Sequence, residues 1–104
     1  MNTTPTGNEH KINKLTDIPN IGPAMTRDLN LLGIQRPEQL RGRDPYRLYE
    51  ELNRMTGKRQ DPCVLDVFIA AVRFMAGEPA RPWWHYTAER KATLQRKSPS
   101  ARSR

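Results

Sequence analysis

The sequence has little that could support catalysis, disulfide bonding or a membrane span. Its single cysteine, Cys63, cannot form an internal disulfide, which fits a reducing compartment. With only His10 and His85 beside that cysteine, no metal-ligand spacing is present. There is no Gly-rich nucleotide loop, and no apolar run approaches the ~18 residues that cross a bilayer. These absences predict a chain that is not an enzyme, with no cofactor, no metal and no membrane contact.

The N-terminus, MNTTPTGNEH, lacks the basic start and the apolar segment of a secretory signal. We therefore expect a cytoplasmic protein. A chain of 104 residues makes one domain at most. We expect residues 1–9 to be disordered and residues 10–86 to form the folded domain.

Acidic residues are scarce in the C-terminal quarter, so most of the net positive charge lies there. Residues 1–78 hold eleven Lys/Arg and ten Asp/Glu, whereas residues 79–104 hold seven Lys/Arg and only Glu89. The formal charge of +7 therefore comes mostly from the end of the chain. We expect residues 87–104 to begin as a helix and pass into a basic flexible tail. Such a tail attracts any polyanion, whether DNA, RNA or anionic lipid.

The chain is organised around the stretch 15–34, LTDIPNIGPAMTRDLNLLGI, which predicts two short helices joined by a tight turn. Pro19 stops the first helix, because its ring removes a backbone donor and clashes with the preceding turn. Pro23 suits the first position of the second helix, where its missing N–H has no helical partner anyway. Gly22 lets the backbone take unusual dihedrals or approach another surface closely. Gly33 is placed to end the second helix in a left-handed cap.

Capping signals and apolar periods predict an all-α fold of about five short helices and no sheet. The first two helices flank the turn, over 10–16 and 23–32, and the third is the short segment PEQL. The fourth and fifth begin at Pro45 and Pro62, each directly after an aspartate that can cap. The turn RGRDP repeats the first turn in degraded form, so two helical hairpins should pack in tandem. The fifth helix is apolar nearly all round and should close the core over both.

Two local features allow more than one interpretation. The aromatic run WWHY at 83–86 either folds back to seal an apolar patch or stacks on exposed bases between flanking cations. Packing is the commoner role of large aromatic side chains.

Cys63 follows Asp61-Pro62 at a helix N-terminus, where the dipole would favour the thiolate. The alternative is that Cys63 is a small buried packing residue.

The hairpin IPNIGP resembles the helix-hairpin-helix motif, which usually has a hydrophobic-Gly-hydrophobic-Gly pattern. Members of that group use the hairpin to grip nucleic-acid backbone without reading sequence. Asn20 replaces the first glycine, although Asn tolerates left-handed geometry. Ala24 stands where many members carry a phosphate-binding lysine, which leaves Arg27 as the nearest cation.

Over residues 12–86 the chain is similar to a small bacterial family of pathogenicity-locus or mitomycin-resistance proteins. The segment GKRQDPCVLDVF carries this likeness more specifically than the hairpin, which occurs in many unrelated proteins that handle DNA. The resemblance implies a compact helical domain with a tandem helix-hairpin-helix, or SAM-like, arrangement. It implies little about activity, and the resistance label names a family and not a mechanism.

We expect sequence-independent binding of DNA or RNA phosphates through backbone amides of the hairpin and through nearby cations, since a helix N-terminus accepts phosphate without side chains. The expected contact residues are Ile21, Gly22, Ala24, Arg27, Arg41, Arg43, Lys58 and Arg59. The rival hypothesis is a protein–protein module, with the hairpin as a mere helix connector and the fifth helix or the Trp pair as docking surface. If the five cations share the hairpin's face, nucleic acid is favoured; if they scatter, the protein-binding hypothesis is favoured. The oligomeric state stays open.

Overall fold

The computed structural model describes residues 12–97, and over that range the chain is helical with no strand. The α-helices of this range are α1 (Pro23–Leu31), α2 (Pro45–Thr56), α3 (Pro62–Met75) and α4 (Thr87–Lys97). Between them lie the 3₁₀ turns Leu15–Asp17, Pro37–Leu40 and Trp83–Tyr86. The prediction of an all-helical chain is confirmed for the described residues. The expected disorder of residues 1–9 lies outside them.

The count of five helices is not confirmed. The predicted first helix, 10–16, lies partly outside the described residues, and its described part holds only the turn Leu15–Asp17. The predicted third helix is the 3₁₀ turn Pro37–Leu40. The other three predicted helices are α1, α2 and α3, each within a residue of the expected bounds. Local signals were sufficient for these three because each begins with a proline in its first turn.

The helix ends follow from capping residues. The carboxylate of Asp44 accepts the Tyr46 amide at 2.9 Å, and that of Asp61 accepts the Cys63 amide at 3.0 Å. At the end of α1, Gly33 has φ 84° and donates to Asn30 O at 2.9 Å. The Ile34 amide then donates to Leu29 O at 2.9 Å, which completes a Schellman cap. Ile34 is fully buried, so this cap also anchors the loop that follows α1.

The core is centred on α3, which packs against α2, the turn Pro37–Leu40 and the turn Trp83–Tyr86. Its side chains are buried nearly all round the helix, as its apolar composition predicted. The fully buried core side chains include Ile18, Leu29, Leu40, Leu52, Leu65 and Phe68. No helix within residues 12–97 is both long and apolar enough to cross a membrane.

The segment expected to begin as a helix before the basic tail forms α4, which is fixed to the core by a buried ion pair. Asp66 lies on α3 and is completely buried. Arg90 donates to its two oxygens at 2.9 and 3.2 Å, and the Thr87 hydroxyl donates at 2.8 Å. These bonds hold the first turns of α4 because a buried carboxylate requires partners. Residues 98–104 lie outside the described part of the chain.

The turn before α1 and the turn before α2 have the same backbone hydrogen bonds at corresponding positions. Ile21 N donates to Ile18 O at 3.1 Å, and Arg43 N donates to Leu40 O at 3.1 Å. The residue just before each donor has a left-handed backbone, with φ 75° at Asn20 and φ 79° at Gly42. The preceding 3₁₀ turns are both closed by a side chain that accepts backbone amides, Asp17 in the first and Gln39 in the second. The two hairpins are therefore alike in backbone although their sequences differ.

Candidate nucleic-acid interface

The first hairpin turn has its unusual dihedral at Asn20, and not at Gly22. Asn20 is the one described non-glycine residue with positive φ. Gly22 has φ −104° and ψ −169°, an extended conformation that any residue adopts. A Cβ added at Gly22 would meet no atom within 4 Å. Gly22 is therefore not required for backbone strain, and the space in front of it is open.

Backbone amides at the start of α1 lack partners among the described residues. Gly22 occupies the N-cap position and makes no side-chain cap, and Pro23 has no N–H. The first bond of the helix is the Thr26 amide to Gly22 O at 2.9 Å. Within residues 12–97 no acceptor bonds the amides of Gly22, Ala24 or Met25. No acidic residue lies in the first turn of α1, so the positive end of the helix dipole is open to an anion.

Ile21, also expected to contact phosphate, is not one of these open amides. Its amide is already bonded to Ile18 O, and its side chain is only 5% exposed. Ile21 therefore fixes the turn to the core. Met25 takes its place as the third open amide. The rule that the first amides of a helix have no helical partner could have identified Met25 from the sequence.

Three of the five predicted cations are Arg27 on α1 and the neighbouring residues Lys58 and Arg59 after α2. Arg27 is one turn beyond Ala24 on the same face, and both are exposed. Burial raises the pKa of Asp28, and the charges of Arg27 and Lys58 oppose this rise. Lys58 is therefore close to α1, although it follows α2 in the chain. Arg59 is beside Lys58 and lines a depression with it, together with Leu94 of α4.

The other two predicted cations, Arg41 and Arg43, are at the opposite end of α2. The twelve residues of α2 separate Arg43 from Lys58 by about 18 Å along the helix axis. Arg43 lines a different depression with Arg47. Arg41 donates through Nε to the Met75 carbonyl at 3.2 Å, at the end of α3. The five cations are therefore divided between the two ends of α2. Lys58 and Arg59 follow its last turn, with Lys58 near Arg27 of α1. Arg41 and Arg43 precede its first turn.

The second hairpin closes its own helix end. Asp44 stands where Gly22 stands in the first hairpin, and its carboxylate already accepts the Tyr46 amide. A carboxylate at this position repels phosphate and occupies a donor that a phosphate would use. The two hairpins therefore have similar backbones but opposite character toward anions.

Cys63 does not have the environment of a reactive thiolate. Its pKa is raised, chiefly by burial and then by a hydrogen bond with Asp61 and the charges of Asp61 and Asp66. These effects disfavour the thiolate form of Cys63. Among residues 12–97 no three His, Cys, Asp or Glu side chains are grouped so that they could hold a metal ion.

One contact links the hairpin to the aromatic run and was not expected from the sequence. The Asn20 side-chain amide donates to the Arg81 carbonyl at 2.8 Å. Trp83 is partly buried against the core and Tyr86 is buried, whereas Trp84 is 63% exposed. Packing therefore accounts for Trp83 and Tyr86 but not for Trp84. No local pattern could have paired Asn20 with Arg81, because the two are far apart in the chain.

The described residues thus form a small helical protein in which the start of α2 is capped by Asp44 and the start of α1 has no side-chain cap. Residues 8–92 match the model of the pathogenicity locus family, and the chain belongs to that family. It is also 49% identical over 80 residues to a protein called mitomycin resistance protein McrB from Streptomyces lavendulae, an alignment covering 77% of this chain and 76% of the relative. No solved structure matches the chain.

Proposed function

We propose that this protein binds nucleic-acid backbone, without reading sequence, through the first of two tandem helix-hairpin-helix units in a SAM-like arrangement. The phosphate site consists of the amides of Gly22, Ala24 and Met25 with the side chains of Arg27, Lys58 and Arg59. Arg41 and Arg43 lie outside it. The protein acts by binding and not by catalysis.

The observation that carries this proposal is the difference between the two hairpins. Both have the left-handed residue and the same closing hydrogen bond, but only the second has an aspartate at the cap. A helix connector needs its end satisfied, and Asp44 does this for α2. At α1 the chain has glycine and leaves the donors for another acceptor. A phosphate oxygen suits such donors, and the group of Arg27, Lys58 and Arg59 adds attraction.

A second function, docking of a protein partner, is favoured by the division of the cations into two groups. Scattered charge gives a weaker attraction for a duplex than a single basic face. Trp84, Leu31 and Met55 are exposed large apolar side chains that a partner protein could cover. The experiment below separates the two functions.

The test transfers the cap of the second hairpin to the first. Gly22→Asp places a carboxylate at the open end of α1, and Gly22→Ala is the matched control with neither cap nor charge. Both side chains fit, because the space at Gly22 is open and its φ is negative. The aspartate should leave thermal stability unchanged or raise it by roughly a few tenths of a kcal/mol.

Binding of a fluorescent duplex at low salt should weaken about tenfold or more in Gly22→Asp, since a hydrogen bond to a charged group contributes about 1.5–3 kcal/mol. Gly22→Ala should bind nearly as wild type. Arg27→Ala should weaken binding, whereas Arg43→Ala should have a smaller effect. Equal binding by wild type, Gly22→Asp and Gly22→Ala would show that the hairpin is not a phosphate site and would favour protein docking.

A further inference from the structure

Trp84 is exposed in a segment that is otherwise firmly attached to the fold. Its ring lies 5.5 Å from that of Trp83, and the two planes meet at 84°. The rings are therefore perpendicular and not stacked. Trp83 packs against the core and sets the position of its neighbour, while 63% of Trp84 stays in contact with solvent. A large exposed indole on a fixed support is typical of a binding element and not of packing.

Ion pairs hold the support of Trp84 in place. Arg81 donates to Glu78 at 3.2 Å and to the Tyr86 hydroxyl at 3.4 Å. Arg73 pairs with Glu78 at 3.5 Å and with Glu89, and its guanidinium lies 5.5 Å from the centre of the Tyr86 ring. Because both arginines are engaged by carboxylates, neither is well placed to bind a phosphate beside Trp84. Phosphates must then be held by another element.

The open hairpin is that element. The bond from Asn20 to the Arg81 carbonyl joins the hairpin turn to the segment that carries Trp84. Arg81 and Trp84 are separated by three residues, at most about 10 Å of chain, and Asn20 is two residues from Gly22. These short links keep Trp84 and the open amides within a separation that a few nucleotides span. After Trp84 the chain continues directly into α4, which exposes the cations Lys91 and Arg96.

We infer that Trp84 is a stacking platform for an unpaired base, and that the substrate class is single-stranded nucleic acid or a strand with an exposed base. The inference rests on the proposed function, because the hairpin holds the phosphates of the same strand. In an intact duplex the bases are stacked on one another and present no face to an indole. An unpaired base has a free face, and stacking on an aromatic side chain is independent of its identity.

The test compares two strands of equal length and equal charge, oligo-dT and an abasic strand that keeps the phosphates without the bases. The full chain should bind oligo-dT roughly 5- to 150-fold more tightly than the abasic strand. Trp84→Ala should remove this preference and leave affinity for the abasic strand unchanged. Trp84→Phe should keep most of it. Oligo-dT should also quench the tryptophan fluorescence of wild type far more than that of Trp84→Phe, in which only Trp83 remains.

Gly22→Asp is the arm that tests the hairpin independently, and it should weaken binding of both strands equally. If Trp84→Ala keeps the preference for oligo-dT, or weakens binding of both strands alike, the stacking inference is wrong. The phosphate site is then tested by Gly22→Asp alone. If Gly22→Asp changes nothing while Trp84→Ala acts on oligo-dT alone, the stacking is supported and the proposed phosphate site is wrong. Self-association that Trp84→Ala abolishes, with no dependence on bases, would assign Trp84 to contacts between protein copies and overturn the inference.

Discussion

At the scale of single residues, Asn20 and Gly22 have different roles in the turn before α1. Asn20 takes the left-handed backbone, and its short side chain bonds to Arg81 O, which helps it to tolerate that geometry. Gly22 leaves the end of α1 without a side-chain cap. The sequence showed that Asn could replace the first glycine of the motif. It could not show the second role of Asn20, because this depends on a residue brought close only by folding.

Asp28 is an acidic side chain beside Arg27 of the proposed site, and its titration gives a prediction. Burial raises its pKa above the ordinary 3.8, so the folded state binds this proton more tightly than the unfolded state. The free energy of unfolding therefore falls as pH rises from below 3.8 through the raised pKa. Asp28→Asn removes this loss of stability. The melting temperature of Asp28→Asn minus that of wild type should therefore increase between pH 3 and pH 7.

The same substitution removes a negative charge close to Arg27 and Lys58, so Asp28→Asn should bind DNA more tightly at pH 7. Glu38→Gln is the matched control, since Glu38 is exposed and pairs only with Arg36 among the described residues. If the difference in melting temperature between Asp28→Asn and wild type is the same at every pH, burial does not raise the pKa of Asp28. Tighter binding by both variants would point to net charge alone.

At the scale of elements, the starts of α2 and α3 were predictable, whereas the docking of α4 was not. Asp44-Pro45 and Asp61-Pro62 carry their signals within a few residues, and the structure has caps at both. The position of α4 depends on Asp66, which lies far from Arg90 in the chain. One signal was present: a single carboxylate within the apolar run of α3 requires a buried partner. The tertiary structure was needed to identify that partner as Arg90.

Removing Arg90 should be strongly destabilising, because the buried Asp66 carboxyl group would keep only the Thr87 hydroxyl as a side-chain partner among the described residues. We expect Arg90→Ala to lower the free energy of unfolding by about 3–5 kcal/mol in urea titrations. Arg96→Ala on the same helix is the control and should cost less than about 0.5 kcal/mol, since its side chain is exposed. The double variant Asp66→Leu/Arg90→Leu should recover much of the loss. A small effect of Arg90→Ala alone would mean that α4 is not held by this pair.

At the scale of the whole molecule, the basic charge is divided between residues 12–97 and the residues that follow them. Truncation after residue 86 would remove Arg90 and Thr87 along with the charge, so it would test folding and binding together. Truncation after residue 97 keeps α4 and removes only Arg102 and Arg104 among the cations. This shorter deletion isolates the contribution of Arg102 and Arg104 to binding.

Affinity for duplex DNA should fall with salt at a log–log slope of about −0.9 per phosphate neutralised. Deletion of residues 98–104 should reduce that slope by at most about two and leave measurable binding at low salt. Titrations at several salt concentrations, on the full chain and the deletion, measure both quantities. Loss of all binding on deletion would place the interaction in residues 98–104 and not in residues 12–97.

The central claim is that open amides of the first hairpin accept phosphate, and amide NMR shifts test it residue by residue. A short oligonucleotide should shift the resonances of Gly22, Ala24 and Met25 most. The amides of Tyr46 and Cys63, which occupy capped helix starts, are internal controls and should stay in place. Shifts confined to the region of Arg41 and Arg43, or equal shifts at capped and open helix starts, would contradict the claim.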